Sequence, residues 1–587
     1  SDTRTGRVRV VAALGQDILA PNWSPDGARI AFFSGGRLRV VRSNASPALR
    51  PENTQDLGAA LPVWGVVSWG PASDGLIVGA MNLDDSRVRA EWIPLRGERK
   101  TLTAFPRGPA NMRLFPDGHA EWVENAELWR APFTATEGLR GPPERVSPAP
   151  ALEARYAADG SVIFLSTGGL RFRSSTGAER AVPWPLRYRT REAPAPLIIR
   201  GARIIDGRGG GPSAPSDVLL QGGRIARIAP AGTVQAAGAS ELDGTSGYLI
   251  PGLIDLHAHL WDDLSLLAWL HNGVTTVRDI GSQKVKTPDT RNAIEAGLRE
   301  GPRVVYGGAM FHRTAAGHST LSDQMTTDSG AIARAIAITA GLGAGFIKER
   351  GFEGWHSAVR LVREAHRFGI PVSGHCAHIL PVVAAGMDGA EHILDCTRDR
   401  FTLRADYAEL ARAAGLWVVP TAALRYSMLR AIDDPSLANA PDVATLLAPA
   451  YRSLYGGDTA ARAGHLPIVA RQQAGLRRYH RSGVTLATGT DSPFPLGVQH
   501  EMELLVESGL TPMEALLAAT SVAARVLNAP DLGTVAERQM GDLLLLDANP
   551  LEDIRNTRRI RAVIQGGRVI DRARLRREGV EPATTPR

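Results

Sequence analysis

Over residues 1–190 the apolar positions alternate with polar ones or fall in short blocks, with no period near 3.6, and this predicts strands rather than helices. Each block follows an aromatic residue and an Asp-Gly pair. Trp23-Ser24-Pro25-Asp26-Gly27 precedes 28–33, Trp69 and Asp74-Gly75 precede 76–78, Phe115-Pro116-Asp117-Gly118 precedes 120–123, and Tyr156 with Asp159-Gly160 precedes 161–165. The Asp-Gly pairs recur at intervals of 48, 43 and 42 residues, the period of four-stranded propeller blades. Four blades are few for a closed ring, so the missing blades are expected either to have been removed by processing or to come from a partner chain; a homo-oligomer is the alternative assembly.

Beyond an Arg- and Pro-rich linker at 186–196, short strands with Gly turns at 197–206 and 218–228 are matched by a similar pattern at 541–547 and 561–570. The two ends are therefore expected to form one small composite β-sandwich. Between them, apolar strands alternate with amphipathic helical stretches, which is the pattern of parallel βα units. Eight strands are predicted, at 249–256, 274–278, 303–306, 346–348, 371–375, 389–392, 416–420 and 484–488. Eight units close a (β/α)8 TIM barrel. The interval 421–480 is too long for a loop; Val443, Leu446, Leu447, Ala450, Tyr451 and Leu454 follow helical spacing, so an insertion covering the barrel mouth is expected. The chain thus reads as multidomain: a β-propeller-like all-β region at 1–190, the barrel at 251–527, and a sandwich built from 195–250 and 528–587.

Composition narrows the functional classes. The hydrophobic fraction is 44% and the charged fraction 22%, as in globular proteins. The net charge of +7 is a small excess of 67 basic over 60 acidic residues. No basic stripe interleaves with aromatics, so nucleic acid is not an expected partner. Apolar runs such as 543–546 fall far short of the roughly 20 residues that span a bilayer. Cys376 and Cys396 pair at most once and form no disulfide framework. The opening Ser1-Asp2-Thr3, with neither Met nor an apolar signal core, is read as a processed end.

Thirteen of the 14 histidines lie between His257 and His500. His257 and His259 end the first predicted barrel strand, His375 the fifth and His392 the sixth, and Asp491 follows the eighth. The C-terminal strand ends of such a barrel open onto one face, where catalytic groups collect. Alternate strand residues share a side, so His257 and His259 are able to grip one ion. Imidazoles with a carboxylate suit zinc, and are compatible with manganese, iron or cobalt.

These residues sit in motifs that resemble the amidohydrolase superfamily of metal-dependent hydrolases over about 197–571. The motifs are Pro251-Gly-Leu-Ile-Asp-Leu-His257-Ala-His259, Gly273-Val-Thr-Thr-Val-Arg-Asp279, Ala344-Gly-Phe-Ile-Lys348, Gly374-His375, Ala390-Glu-His392 and Gly489-Thr-Asp491-Ser. Within the superfamily the chain is most similar to the prolidase and imidazolonepropionase-related branch, and residues 23–27 resemble the TolB-like (PD40) propeller motif. The resemblance implies two divalent ions, zinc by preference, with His257, His259 and Asp491 on the first and His375 and His392 on the second. It implies that Lys348, one of only four lysines, is carboxylated by CO2 to a bridging carbamate. A shared, activated water would attack the substrate, with Asp491 as general acid and base. His318, in Ala315-Ala-Gly-His318, is expected to meet the substrate or its oxyanion, and Arg350 and Tyr426 a substrate carboxylate or amide. His378 is expected beside the ligands.

The implied activity is hydrolysis of a C–N bond in a small dipeptide-like or N-acyl amino acid substrate. The same centre serves cyclic amide or lactone hydrolysis and deamination, and a reading without catalysis makes the barrel vestigial and the propeller a binding scaffold. The TolB-like resemblance implies a periplasmic or secreted location, with the cytoplasm as the alternative, and the propeller is expected to screen substrates by size.

Overall fold

The computed structural model describes residues 18–34, 37–44, 54–60, 65–81, 88–104, 106, 109–124, 126–157, 159–183, 191–260, 262–281, 286–308, 310–312, 322–324, 329–350, 355–375, 379–393 and 405–580. The chain divides into two compact units, one of residues 1–186, 283–285 and 311–342, the other of residues 187–282, 286–310 and 343–587.

The first unit is a succession of small antiparallel sheets spanning 18–60, 65–101, 110–145 and 153–182. Each contains a hairpin turn closed by the same backbone bond: Gly27 N–H to Ser24 O, Ser73 to Gly70, Gly118 to Phe115 and Gly160 to Ala157, at 2.9–3.2 Å. A left-handed residue is needed in each turn, and Gly27, Gly118 and Gly160 supply it. In the second sheet the predicted register slips. Ser73 takes the left-handed position at φ +58°, while Gly75 begins the strand Gly75–Met81 under the ring of Trp92, which a Cβ would strike. The third sheet gains a fifth strand, because Gly138–Leu139 and Glu144–Arg145 both pair with Glu127–Thr134. The expected TolB-like propeller is therefore corrected to a propeller-like arrangement of small sheets, with the full motif at one turn only. Apolar residues on adjacent sheets form shared cores, such as Ile77, Trp92, Leu114, Trp122 and Phe133. Within this unit the helix Ser329–Gly341 packs Ile338 against Ala126 and Leu152.

In the second unit the two chain ends meet. Tyr248–Pro251 pairs antiparallel with Leu543–Leu546, which joins strands from 197–251 and 543–569 into one eight-stranded sheet. Its core is Ile199, Val218, Leu249, Leu543, Leu545 and Ile564. The eight barrel strands are β1 (Leu253–Ala258), β2 (Val274–Asp279), β3 (Arg303–Tyr306), β4 (Ile347–Glu349), β5 (Val372–His375), β6 (Gly389–Glu391), β7 (Trp417–Val419) and β8 (Thr485–Leu486). Pairing is parallel from β1 to β3 and from β4 to β8. Leu256 N–H to Thr488 O at 3.0 Å and Gly345 N–H to Tyr306 O at 3.0 Å close the two gaps.

The predicted first strand, 249–256, is in fact two strands. Gly252 separates them, since a Cβ there would collide with the Thr275 side chain; the chain changes sheets where only glycine fits. The insertion after β7 is helical as expected, with helices Ala423–Asp433, Pro435–Asn439, Pro441–Ala444, Pro449–Arg452 and Thr459–Arg481. Its apolar residues Val443, Leu447 and Tyr455 pack with Met428 and Phe494. Among the described residues no helix is long and apolar enough to cross a membrane.

Candidate metal centre

The C-terminal ends of the barrel strands carry the predicted ligands. His257 lies in β1 and His259 just past it, and Asp491 is delivered by the loop after β8, whose backbone N–H bonds His257 O at 2.8 Å. Ligand atoms of these three residues lie within 4.8 Å of one another. Asp491 Oδ1 is 3.1 Å from His259 Nε2 and 3.9 Å from His257 Nε2. Two ligand atoms about 2.1 Å from a tetrahedral ion are about 3.4 Å apart, so the observed spacings bracket what one divalent ion requires. The residues fit the ion.

A second group adjoins the first. Lys348 Nζ in β4 is 3.2 Å from His257 Nε2, and His375 Nδ1 at the end of β5 is 3.1 Å from His392 Nε2 just past β6. The rings of His257 and His392 are 4.7 Å apart, centre to centre. The structure thus brings together all six residues proposed as ligands. Arg350, exposed after β4, is charge-coupled to Asp491. Tyr426 is buried, and its hydroxyl donates to Glu507 Oε1 at 2.6 Å. His318, His378, Cys376 and Cys396 lie outside the described residues.

Protonation states follow from burial. Desolvation, reinforced by the nearby Lys348 charge, holds His257 and His375 well below the usual imidazole range and His392 at about 4. Burial works against ionised Asp491, yet His257 and His259 overcome it and keep the carboxyl well below its ordinary value. Neutral imidazoles and an ionised carboxylate are the forms that bind a cation. Burial also brings Lys348 down to about 8.

The surrounding residues were not assigned roles from sequence. Glu391 is fully buried in β6 and accepts from His257 Nδ1 at 2.9 Å. That bond leaves the His257 Nε2 lone pair facing the cluster. Glu391 Oε1 also accepts from Arg278 Nη2 at 2.7 Å and Ser373 Oγ at 2.8 Å. Arg278, in β2, lies 4.0 Å over the Phe346 ring. Asp255 accepts from the backbone N–H groups of His257 and Thr490, each at 3.0 Å, and so ties β1 to the Asp491 loop. The signal for these residues was present: a charged residue inside an apolar strand run must find a partner.

Residues 248–570, more than half of the chain, match the Amidohydrolase family. The chain belongs to this family. This amidohydrolase is 26% identical over 447 residues to an imidazolonepropionase of Anaeromyxobacter sp. (strain K), covering 65% of this chain and 97% of that protein. It is 28% identical over 414 residues to adenine deaminase 2 of Rhizobium etli, covering 67% and 60%. A putative prolidase from Bifidobacterium longum shares its fold with a TM-score of 0.53 and 24% identity, covering 66% of this chain and all of that one. Amidohydrolases are typically metal-dependent, in keeping with the His257, His259 and Asp491 group.

Proposed function

We propose that this amidohydrolase is a binuclear metal-dependent hydrolase of a C–N bond in a dipeptide-like or N-acyl amino acid substrate. The observation that carries the reading is the convergence of His257, His259 and Asp491 beside Lys348, with the His375–His392 pair adjoining. His257, His259 and Asp491 would hold one divalent ion, preferably zinc, His375 and His392 the other, and carboxylated Lys348 both. The bound ions supply Lewis-acid polarisation of the scissile carbonyl and a lowered pKa for water.

The chain's own residues do the rest. With its pKa at about 8, Lys348 presents about a tenth of its amine neutral at pH 7. Having lost one proton, that nitrogen adds to CO2, forms an N–C bond as one C=O π bond opens, and releases a second proton, so that a buried cation becomes an anion. Glu391 keeps His257 in the Nδ1–H form, so its Nε2 is free to ligate. Asp491, ionised and next to the attack site, accepts the proton lost by water and returns it to the departing nitrogen. Arg350 offers a cation at the rim for a substrate carboxylate.

The test is to incubate the zinc-loaded protein with a mixed library of dipeptides and N-acyl amino acids, and to read products by mass spectrometry. Release of free amino acids, abolished in Asp491→Asn, is the expected result. A second reading has its own support, the near-complete coverage of an imidazolonepropionase. Cyclic amides, lactones and aminopurines therefore belong in the same library, and turnover of these alone would replace the first reading. No turnover of either set would favour a binding scaffold.

A further inference from the structure

We propose that Glu501 is a positioning residue for His392, acting through the backbone of residues 421–423. Glu501 lies on the helix Gly497–Glu507 and is 1% exposed. Among the described residues no basic side chain pairs with it. Its carboxyl group, which burial pushes up to about 8, is answered instead by two backbone donors, Ala422 N–H at 3.2 Å and Ala423 N–H. These are orphan donors of the helix Ala423–Asp433, whose N-cap residue, Ala422, has no side chain able to cap it. A Ser or Asp at 422 would cap the helix locally. Here the cap comes from 79 residues away, on the helix that follows the Asp491 loop.

The residue held by this arrangement is Thr421. It has φ +51°, a region costly for a β-branched residue, and its Oγ1 is 2.6 Å from His392 Nδ1. His392 is itself at φ +66°, with its N–H on Val419 O at 2.8 Å. Donation from His392 Nδ1 to Thr421 turns the Nε2 lone pair toward His375 and the cluster. Glu501 thus over-determines a strained turn whose hydroxyl fixes one imidazole. Its helix follows the Asp491 loop, so both halves of the centre are braced by one chain segment. The inference rests on His392 being a ligand, as proposed above.

A double-mutant cycle tests it, using Glu501→Ala, Thr421→Val and the double variant in the full chain. Zinc affinity is read by competition with a chelator, and the His392 tautomer by 15N NMR of histidine-labelled protein. Each single variant is expected to weaken the more labile zinc by about 10–100-fold, and the double variant no further than Thr421→Val alone. Ser427→Ala is the structural control. It breaks another bond between the same two helices, Ser427 Oγ to His500 Nδ1 at 2.7 Å, and is expected to lower Tm while leaving zinc affinity within about twofold. Multiplying losses, or wild-type affinity in Glu501→Ala, would overturn the proposal. Should His392→Ala bind as much zinc as the wild type, the binuclear reading fails. The tautomer then decides alone: a shift away from Nδ1–H in Glu501→Ala supports positioning, and no shift refutes it.

Discussion

Glu391→Gln is the sharpest single perturbation of the centre. The wild-type carboxylate accepts on both oxygens, from His257 on one and from Arg278 and Ser373 on the other. A glutamine has one acceptor oxygen and one NH2. If the NH2 faces His257, the ring must carry its proton on Nε2 and can no longer ligate there. In either orientation the fully buried Arg278 guanidinium loses its counter-charge, and if the NH2 faces Arg278 it loses its acceptor as well. The first outcome costs about 10–100-fold in metal affinity, or about 1.4–2.7 kcal/mol. The lost counter-charge costs about 3–5 kcal/mol of stability in either orientation, since neither side chain has water to fall back on. Zinc affinity by chelator competition and Tm by calorimetry separate the two. Adding Arg278→Met removes the orphaned charge, so the double variant is expected to regain stability but not affinity. Zinc binding within about twofold of wild type in Glu391→Ala, which leaves His257 no acceptor in any orientation, would refute the assignment of Glu391 as the group that orients His257.

Three further outcomes are expected. Protein equilibrated with 13C-bicarbonate should show a carbamate carbon resonance that Lys348→Arg abolishes, with loss of turnover that bicarbonate does not restore; an unmodified amine in active wild-type protein would disprove the bridge. Gly489→Ala would place a Cβ 2.8 Å from the His257 backbone nitrogen and Cβ, so it should lower stability by about 1–3 kcal/mol and weaken zinc binding, both read by titration and melting. His271 is buried beside Arg572, and desolvation, then that charge, hold it at about 4. The unfolded imidazole protonates first, near 6.5, so about 3 kcal/mol of stability should be lost as the pH falls from 6.5 to 4; melting curves of His271→Gln should lack this slope.

Legibility in the sequence divides along physical lines. The barrel strands were readable because parallel strands are buried on both faces and appear as apolar runs, and the ligands because they stand at the ends of those runs. His257 and His259 reveal their common side through the two-residue period alone. Partnerships across the barrel were not readable. Arg278 and Glu391 are 113 residues apart, and Tyr426 is claimed by Glu507 81 residues away; no local periodicity encodes either. Single-residue steric decisions were hidden too. Gly252 looks like part of one long strand until Thr275 is placed beside it, and Asp74-Gly75 looks like a turn until Trp92 covers Gly75. What the linear pattern does carry is a demand for partners: Asp255, Arg278, Lys348 and Glu391 are among the ionisable residues inside apolar strands, two of each sign. Burying four such groups is tolerable only if they answer one another or a bound ion. The structure answers Arg278 with Glu391 and Asp255 with the Asp491 loop, while Lys348 lies against His257 with Asp491 and Glu391 as its nearby negative charges, so carboxylation of Lys348 is the step of the proposed binuclear reading that most needs its own test.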